Sequence, residues 1–211
     1  MSVNKNSDID QALQDRLSST SNIKTDTNSR RRALNRALSE IQLFANWMWT
    51  IKETTFDYDA DTEEYSMATL GITDFKDVYT VDGQSLYEAN RLEQGIAKKM
   101  VNGVYVLMMD LSITTTEDVD FGYFSTSMVK DNDGSTLKEF FINADDTFLG
   151  PNEVIPLLIE WALVELFRDI KKIDKETIAS AERRLEDLKI GAYKNFGYAI
   201  SKGKKIINIA R

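Results

Sequence analysis

The first long apolar pattern in the chain repeats every three or four residues, the spacing of one face of an α-helix. It covers residues 34–48, and an aromatic pair, Trp47 and Trp49, stands at its end. Asp26 and Thr27 precede it, and their side-chain oxygens can accept hydrogen bonds from the N–H groups of a first helical turn. The pattern therefore predicts a helix over residues 26–49 that ends in a large apolar anchor.

From residue 50 to residue 150 the pattern changes to short runs rich in Thr, Tyr, Val and Phe. Examples are "TIKETTFDYDA", "DFKDVYTVDG", "GVYVLMMDLSI" and "DFGYFSTSMV". The dipeptide Asp133-Gly134 between two such runs is a strong signal of a β-hairpin. Short strands separated by turns at regular spacing are typical of small antiparallel sandwiches and barrels. Residues 50–150 are therefore predicted to form a β-rich insert of that kind.

Helical patterns return in residues 151–202. The stretch "EVIPLLIEWALVELFRDI" is apolar nearly all round, so its helix is predicted to have neighbours on more than one side. Asp174 is the predicted N-cap of a last helix. The predicted fold class is α+β: a helical bundle of one N-terminal and two C-terminal helices, with an inserted antiparallel β-sandwich or barrel and extended terminal arms.

Two arms flank these elements. Residues 1–25 are polar, with Ile9, Leu13 and Leu17 four residues apart. This N-terminal arm is open to three interpretations: an amphipathic helix formed on a partner, a mobile segment, or a helix laid on its own domain. The C-terminal arm, residues 203–211, reads "GKKIINIAR". Its β-branched run suits a strand added to the sheet edge of a partner, or to the chain's own β-rich insert.

Composition restricts the chemistry. The 211 residues include no His and no Cys, which excludes imidazole bases, thiolate nucleophiles and ordinary zinc sites. The acidic stretch over residues 57–64 fits no EF-hand loop, and Ser201-Lys202 is merely a neighbouring pair. We therefore predict a protein that is not an enzyme, with no metal and no cofactor.

Charge and hydropathy restrict the partners. The net charge of −8 argues against a protein whose main task is to hold DNA, and the most apolar stretch contains charged residues that argue against a membrane span. The densest positive patch can touch a phosphate backbone, an acidic protein surface or only solvent. This patch consists of Arg30, Arg31, Arg32 and Arg36.

Several stretches, in this order, resemble the head-to-tail connector adaptors of tailed bacteriophages. They are "RALNRALSEIQLFANWMWTIKETTFDY", "FKDVYTVDGQSLYEA", "NGVYVLMMD", "DFGYFSTSMV" and "FLGPNEVIPLLIEWALVELFRDI". The resemblance extends over residues 32–200 in order and spacing. Residues 1–25 are longer than it requires, and the cluster of Arg30, Arg31 and Arg32 has no counterpart in it.

The resemblance implies a structural protein of the virion neck, at the portal vertex, assembled in the host cytoplasm. Such adaptors form a dodecameric ring beneath the portal protein and extend the DNA channel. Their other surface meets the next neck or tail protein. DNA passes through the channel without specific binding, which an acidic chain suits. The alternative is another non-enzymatic interaction protein of the virion neck, or a tail-completion protein.

Under this interpretation three groups of residues are predicted contacts. The portal contact falls on the C-terminal arm, and the arginine patch supplies candidate charged contacts. The wide apolar arc of the first C-terminal helix is divided between the core and the neighbouring subunit. The portal residues are Lys204, Lys205, Ile206, Ile207, Ile209 and Arg211, and the inter-subunit residues are Leu158, Trp161 and Glu165.

Overall fold

Over the residues that the structure describes, the chain is α+β, with four α-helices and small antiparallel sheets. The computed structural model describes residues 4–21, 23–59, 61–62, 64–82, 84–85, 96–109, 117–170 and 173–198. The chain divides into two compact units. Unit 1 contains Met1–Thr50 and Thr126–Gly197, and unit 2 contains Ile51–Ser125 and Tyr198–Arg211. Among the described helices, none combines the length and apolar character needed to span a bilayer.

The described α-helices all belong to unit 1, and the described strands are shared between the units. The helices are α1 Asn6–Ser21, α2 Thr27–Phe44, α3 Ile155–Asp169 and α4 Lys175–Phe196. The strands are β1 Ile51–Tyr58, β2 Glu64–Ser66, β3 Phe75–Val81, β4 Gln84–Ser85, β5 Ile96–Val101, β6 Val104–Met109, β7 Glu117–Ser125, β8 Val129–Lys130, β9 Leu137–Lys138 and β10 Thr147–Phe148.

Helix α3 is the centre of unit 1. Ten of its 15 residues are buried, and it contacts α1, α2 and α4. The prediction that this apolar helix has neighbours on more than one side is confirmed. Two predicted helix starts are confirmed as well, because the Oδ1 atoms of Asp26 and Asp174 accept hydrogen bonds from the N–H groups of Ser29 (2.9 Å) and Thr177 (2.8 Å).

Helix α1 lies within the predicted N-terminal arm. Its Ile9, Leu13 and Leu17 are fully buried in the core of unit 1, so the structure differs from an extended arm. Of the three interpretations of residues 1–25, it shows the helix laid on its own domain. Burying a large aliphatic side chain stabilises a fold by about 1.5–3 kcal/mol, which explains why the stripe packs inward.

Unit 1 also contains a small sheet with strand order β10-β8-β9. The predicted hairpin at Asp133-Gly134 is confirmed: it joins β8 to β9, and Gly134 has a positive φ of +69°. The division of the chain differs from the predicted insert of 50–150, since residues 126–150 belong to unit 1. The reason is that Phe141 and Phe148 of this segment pack into the core around α3.

Unit 2 contains two sheets, a four-stranded one in the order β1-β7-β3-β4 and a three-stranded one in the order β2-β6-β5. One hydrophobic cluster draws side chains from both, for example Phe121 from the first sheet and Leu107 from the second. Among the described strands, no sheet closes into a barrel. Gly122 of β7 lets β3 approach closely, because a Cβ at this position would lie 2.3 Å from Thr80 Oγ1.

Candidate functional site

A groove on unit 1 combines apolar and positively charged side chains. We call it the basic–apolar groove. It lies between α2 and the loop that follows β9, and its volume is about 590 Å³. Its lining residues are Arg32, Asn35, Arg36, Ser39, Lys138, Glu139, Phe140, Phe141 and Ile142.

The loop of the groove is anchored by α2. Asn35 forms two hydrogen bonds with the backbone of Phe141: its Nδ2 donates to the carbonyl oxygen at 3.0 Å, and its Oδ1 accepts from the N–H at 2.9 Å. Arg31 Nη1 donates to the carbonyl oxygen of Ile142 at 3.0 Å. The phenyl ring of Phe141 is buried in the core. These contacts fix the backbone of residues 141–142 against the helix.

Asp146 fixes the same loop from its other end. Its fully buried carboxylate accepts hydrogen bonds from the N–H groups of Ile142 (2.6 Å) and Asn143 (2.7 Å), and from Lys138 Nζ (3.1 Å). Burial by itself would raise the pKa of Asp146, but these three hydrogen bonds outweigh burial and hold its pKa below the ordinary value. The carboxylate is therefore ionised at neutral pH and organises the loop.

The loop presents two large apolar side chains to solvent. Phe140 is 38 % exposed and Ile142 is 59 % exposed, on either side of the buried Phe141. A backbone held by this many hydrogen bonds cannot turn them inward. Apolar side chains fixed in an exposed position next to polar groups are typical of protein–protein contact sites.

The charge of the groove is positive. Arg32, Arg36 and Lys138 line it against a single carboxylate, Glu139. Arg36 pairs with Asp169 at 2.9 Å, but both side chains are more than half exposed, and such a pair contributes at most about 1 kcal/mol. Arg32 has no carboxylate partner among the described residues. The guanidinium group of Arg32 is therefore available to an incoming anion, and that of Arg36 can exchange its exposed pair with Asp169 for a new one.

The second charged surface belongs to unit 2. We call it the acidic sheet face: the exposed side chains Glu53, Thr55 and Asp57 of β1 with Asp118 and Asp120 of β7. The antiparallel register places Asp57 directly opposite Asp118, and Thr55 opposite Asp120. None of the four carboxylates forms an ion pair within the part of the chain that the structure describes.

The opposed pair of Asp57 and Asp118 is electrostatically unfavourable. A hydrogen bond between the two side chains and their charge repulsion raise the pKa of Asp118 above its ordinary value. Like charges directly opposite each other destabilise a sheet. This surface therefore carries an uncompensated negative charge.

Asp118→Asn is expected to raise the thermal stability of unit 2 at neutral pH. A carboxyl group with a raised folded-state pKa favours folding at low pH and loses that contribution as the pH rises through this pKa. The variant removes the repulsion, so its advantage should be present at pH 7 and vanish below about pH 4. Near-UV circular dichroism in the tyrosine band follows unit 2, since seven of the eight Tyr belong to it, and tryptophan fluorescence follows unit 1, which contains all three Trp. Equal melting temperatures at pH 7 would contradict the prediction.

The predicted arginine patch is divided by the structure. Arg30 is nearly buried: Nε and Nη2 donate to Asp10 Oδ1 and Oδ2 at 2.8 and 2.7 Å, and Nη1 donates to Gln14 at 2.9 Å. The hydrogen bond with Asp10 raises the pKa of Arg30. Its guanidinium group ties α1 to α2 and is not available to a partner. Arg31 is bonded to the loop, whereas Arg32 and Arg36 line the groove.

The predicted inter-subunit residues lie inside unit 1. Leu158 is fully buried, and the ring of Trp161 is covered by Lys189, whose Nζ lies 4.2 Å from the ring centroid. Glu165 is mostly buried and accepts a hydrogen bond from Arg168 at 3.0 Å. The neighbours of the wide apolar arc are therefore helices of the same chain.

The predicted portal contacts on the C-terminal arm lie outside the described residues. This holds for the whole set of Lys204, Lys205, Ile206, Ile207, Ile209 and Arg211. Within the described ranges, no group of three or more acidic side chains is arranged to hold a metal ion.

Sequence reasoning missed the groove. The run "TLKEFFI", residues 136–142, lies in the predicted β-rich insert, whereas the structure forms only the two-residue strand β9 there and continues as a loop. The sequence does contain one signal of the groove, the three consecutive apolar residues 140–142. In an extended chain, side chains alternate between the two sides, so the first and third of these residues point to the side opposite the second. The partners Asn35 and Asp146 gave no signal, because nothing local connects them to the loop.

Comparison with protein families and with curated proteins gives no match. No protein-family model matches the chain, and no curated protein matches it either.

Proposed function

We propose that this chain is a structural adaptor of a bacteriophage neck. It forms a ring of twelve copies beneath the portal protein, extends the DNA channel and joins the head to the next neck or tail protein. It belongs to the virion, catalyses no reaction and binds no cofactor. DNA passes through its channel without specific contacts.

The observation that supports this proposal is the order of the elements. Helix α2 ends at Phe44, before the predicted residue 49, and an aromatic cluster follows it, in which Trp47 and Trp49 stack with ring centroids 4.6 Å apart. A β-rich unit follows directly, and α3 and α4 then return to pack with α2. This is the order in which the sequence resembles the connector adaptors.

The finer architecture is part of the proposal. The four helices of unit 1 are proposed to form a bundle around α3, and the two sheets of unit 2 a small sandwich around their shared hydrophobic cluster. The helical unit and the β unit each present a surface of their own, which gives one protomer two distinct surfaces. A closed ring with head-to-tail contacts needs two different surfaces on each protomer.

The test is the copy number of this protein in purified particles from its source. Quantitative mass spectrometry against the major capsid protein is expected to give twelve copies per particle. Absence from the particle would overturn the proposal. A copy number that fits no ring would favour the alternative, another non-enzymatic neck or tail-completion protein.

A further inference from the structure

We infer that the basic–apolar groove of one protomer binds the acidic sheet face of a second copy of this chain. This names the contact between subunits and rests on the proposed ring. It also replaces Leu158 and Trp161, which the structure buries within their own unit, as the predicted inter-subunit residues.

The first support is charge complementarity. The chain has a net charge of −8, yet the groove exposes the guanidinium groups of Arg32 and Arg36. The acidic sheet face offers four carboxylates that have no cationic partner among the described residues, and Asp57 opposes Asp118 at a cost to the sheet. Guanidinium groups placed over this pair would relieve the repulsion, while two grooves or two acidic faces would repel each other.

The second support is the apolar content of both surfaces. Phe140 and Ile142 stand on a loop whose backbone is fixed before any partner arrives. A cleft of about 470 Å³ on the acidic sheet face is lined in part by Thr55, Thr80 and Gly122. The threonine side chains carry methyl groups that can contact apolar side chains between the carboxylates. Little ordering entropy is lost on the side of the groove, because hydrogen bonds already hold the backbone of its loop.

The third support is the location of the two surfaces. The groove belongs to unit 1 and the acidic sheet face to unit 2, so each protomer carries one of each. A contact between unlike surfaces repeats from copy to copy, and it closes into a ring when the rotation allows.

The experiment uses two charge reversals in the full chain. Variant A is Arg32→Glu with Arg36→Glu, and variant B is Asp57→Lys with Asp120→Lys. All four side chains are exposed, so both variants should keep the fold, which circular dichroism checks. Self-association is measured by sedimentation velocity at about 0.5 mM protein, at ionic strengths of about 0.05 M and 0.5 M.

The wild-type chain is expected to associate at the lower ionic strength and to dissociate at the higher one. Each variant alone should associate about a hundredfold more weakly, because like charges then face each other. Variant B is informative, since it reduces the net negative charge and would strengthen any nonspecific association. An equimolar mixture of A and B should recover assembly, because every contact in an alternating ring of even number again joins opposite charges.

The matched control is Arg183→Glu with Lys194→Glu on the exposed face of α4. It changes the net charge as much as variant A does, and it should associate like the wild-type chain.

Wild-type protein that stays monomeric under these conditions would overturn the inference, as would variants that associate normally or a mixture that does not recover. In these cases the groove would belong to another acidic partner, or the acidic sheet face would line the channel. The copy number in the particle is measured in a separate experiment. The proposed ring and the proposed contact between subunits can therefore fail independently of each other.

Discussion

Asp146→Ala is expected to destabilise unit 1 by about 3 kcal/mol and to remove the groove. The substitution leaves two buried N–H groups, those of Ile142 and Asn143, without an acceptor, and leaves Lys138 without its counter-ion. Each unsatisfied buried group costs roughly 1–3 kcal/mol. Tryptophan fluorescence during denaturant unfolding measures this effect selectively, because all three Trp belong to unit 1.

Asp146→Asn is the matched control for this prediction. Both N–H groups bond to the same oxygen, Oδ2, so an amide oxygen in its place keeps these bonds and loses only the ion pair with Lys138. We expect a loss of about 1 kcal/mol. An alanine variant no less stable than the asparagine variant would show that Asp146 does not hold the loop.

The two variants also differ from the wild-type chain in their response to acid. Because the folded-state pKa of Asp146 is lowered, its charge stabilises the fold above the ordinary carboxyl pKa. That contribution is lost as the pH falls from about 4 through the lowered pKa. The stability difference between wild type and Asp146→Asn should therefore shrink at acidic pH and be constant between about pH 6 and 8.

Arg16→Met is expected to cost about 3 kcal/mol, because it leaves a buried carboxylate with a weaker partner. Glu160 on α3 is only 2 % exposed, and Arg16 of α1 binds it in a fork, with Nη2 to Oε1 at 3.1 Å and Nε to Oε2 at 3.2 Å. The remaining cation, Arg184 of α4, is more than half exposed and lies 3.3 Å from Oε2.

Adding Glu160→Met to Arg16→Met is expected to recover most of this loss, to within about 1 kcal/mol of the wild-type chain. Replacing both members of a buried ion pair by apolar side chains of similar size is often neutral, whereas removing one partner is not. Tryptophan fluorescence again measures unit 1. The control is Arg168→Ala, whose guanidinium group is more than half exposed, so that its two ion pairs should contribute less than about 1 kcal/mol. Additive losses in the double variant would contradict the assigned coupling.

Local patterns determined the helices and one hairpin. The N-caps Asp26 and Asp174 and the turn at Asp133-Gly134 were predictable, since each depends on hydrogen bonds or dihedral angles within three or four residues. The hairpin between β5 and β6 was not predicted, although Asn102-Gly103 carries the same kind of turn signal and both residues have a positive φ. Its first strand, β5, contains Lys98 and Lys99, and these charges concealed the strand pattern.

The arginine patch shows where local information ends. Arg30 and Arg32 stand two residues apart in similar surroundings, yet Arg30 is nearly buried and Arg32 is exposed. The difference arises because Asp10, 20 residues earlier, is carried to Arg30 when α1 folds onto α2. A run of arginines in a sequence therefore indicates a positive surface. Long-range contacts in the folded chain determine which of these arginines remain exposed.

By itself, the sequence determined the α+β class, the order of helices and strands, the apolar stripes and the absence of His and Cys, because these are properties of neighbouring residues or of composition. Only the tertiary structure decided that residues 126–150 join the helices, that Leu158 and Trp161 are covered by their own chain, and that Phe140 and Ile142 are held in solvent. These outcomes depend on contacts between residues such as Asn35 and Phe141, 106 positions apart. Packing and hydrogen bonding at that separation leave no periodic trace in the sequence.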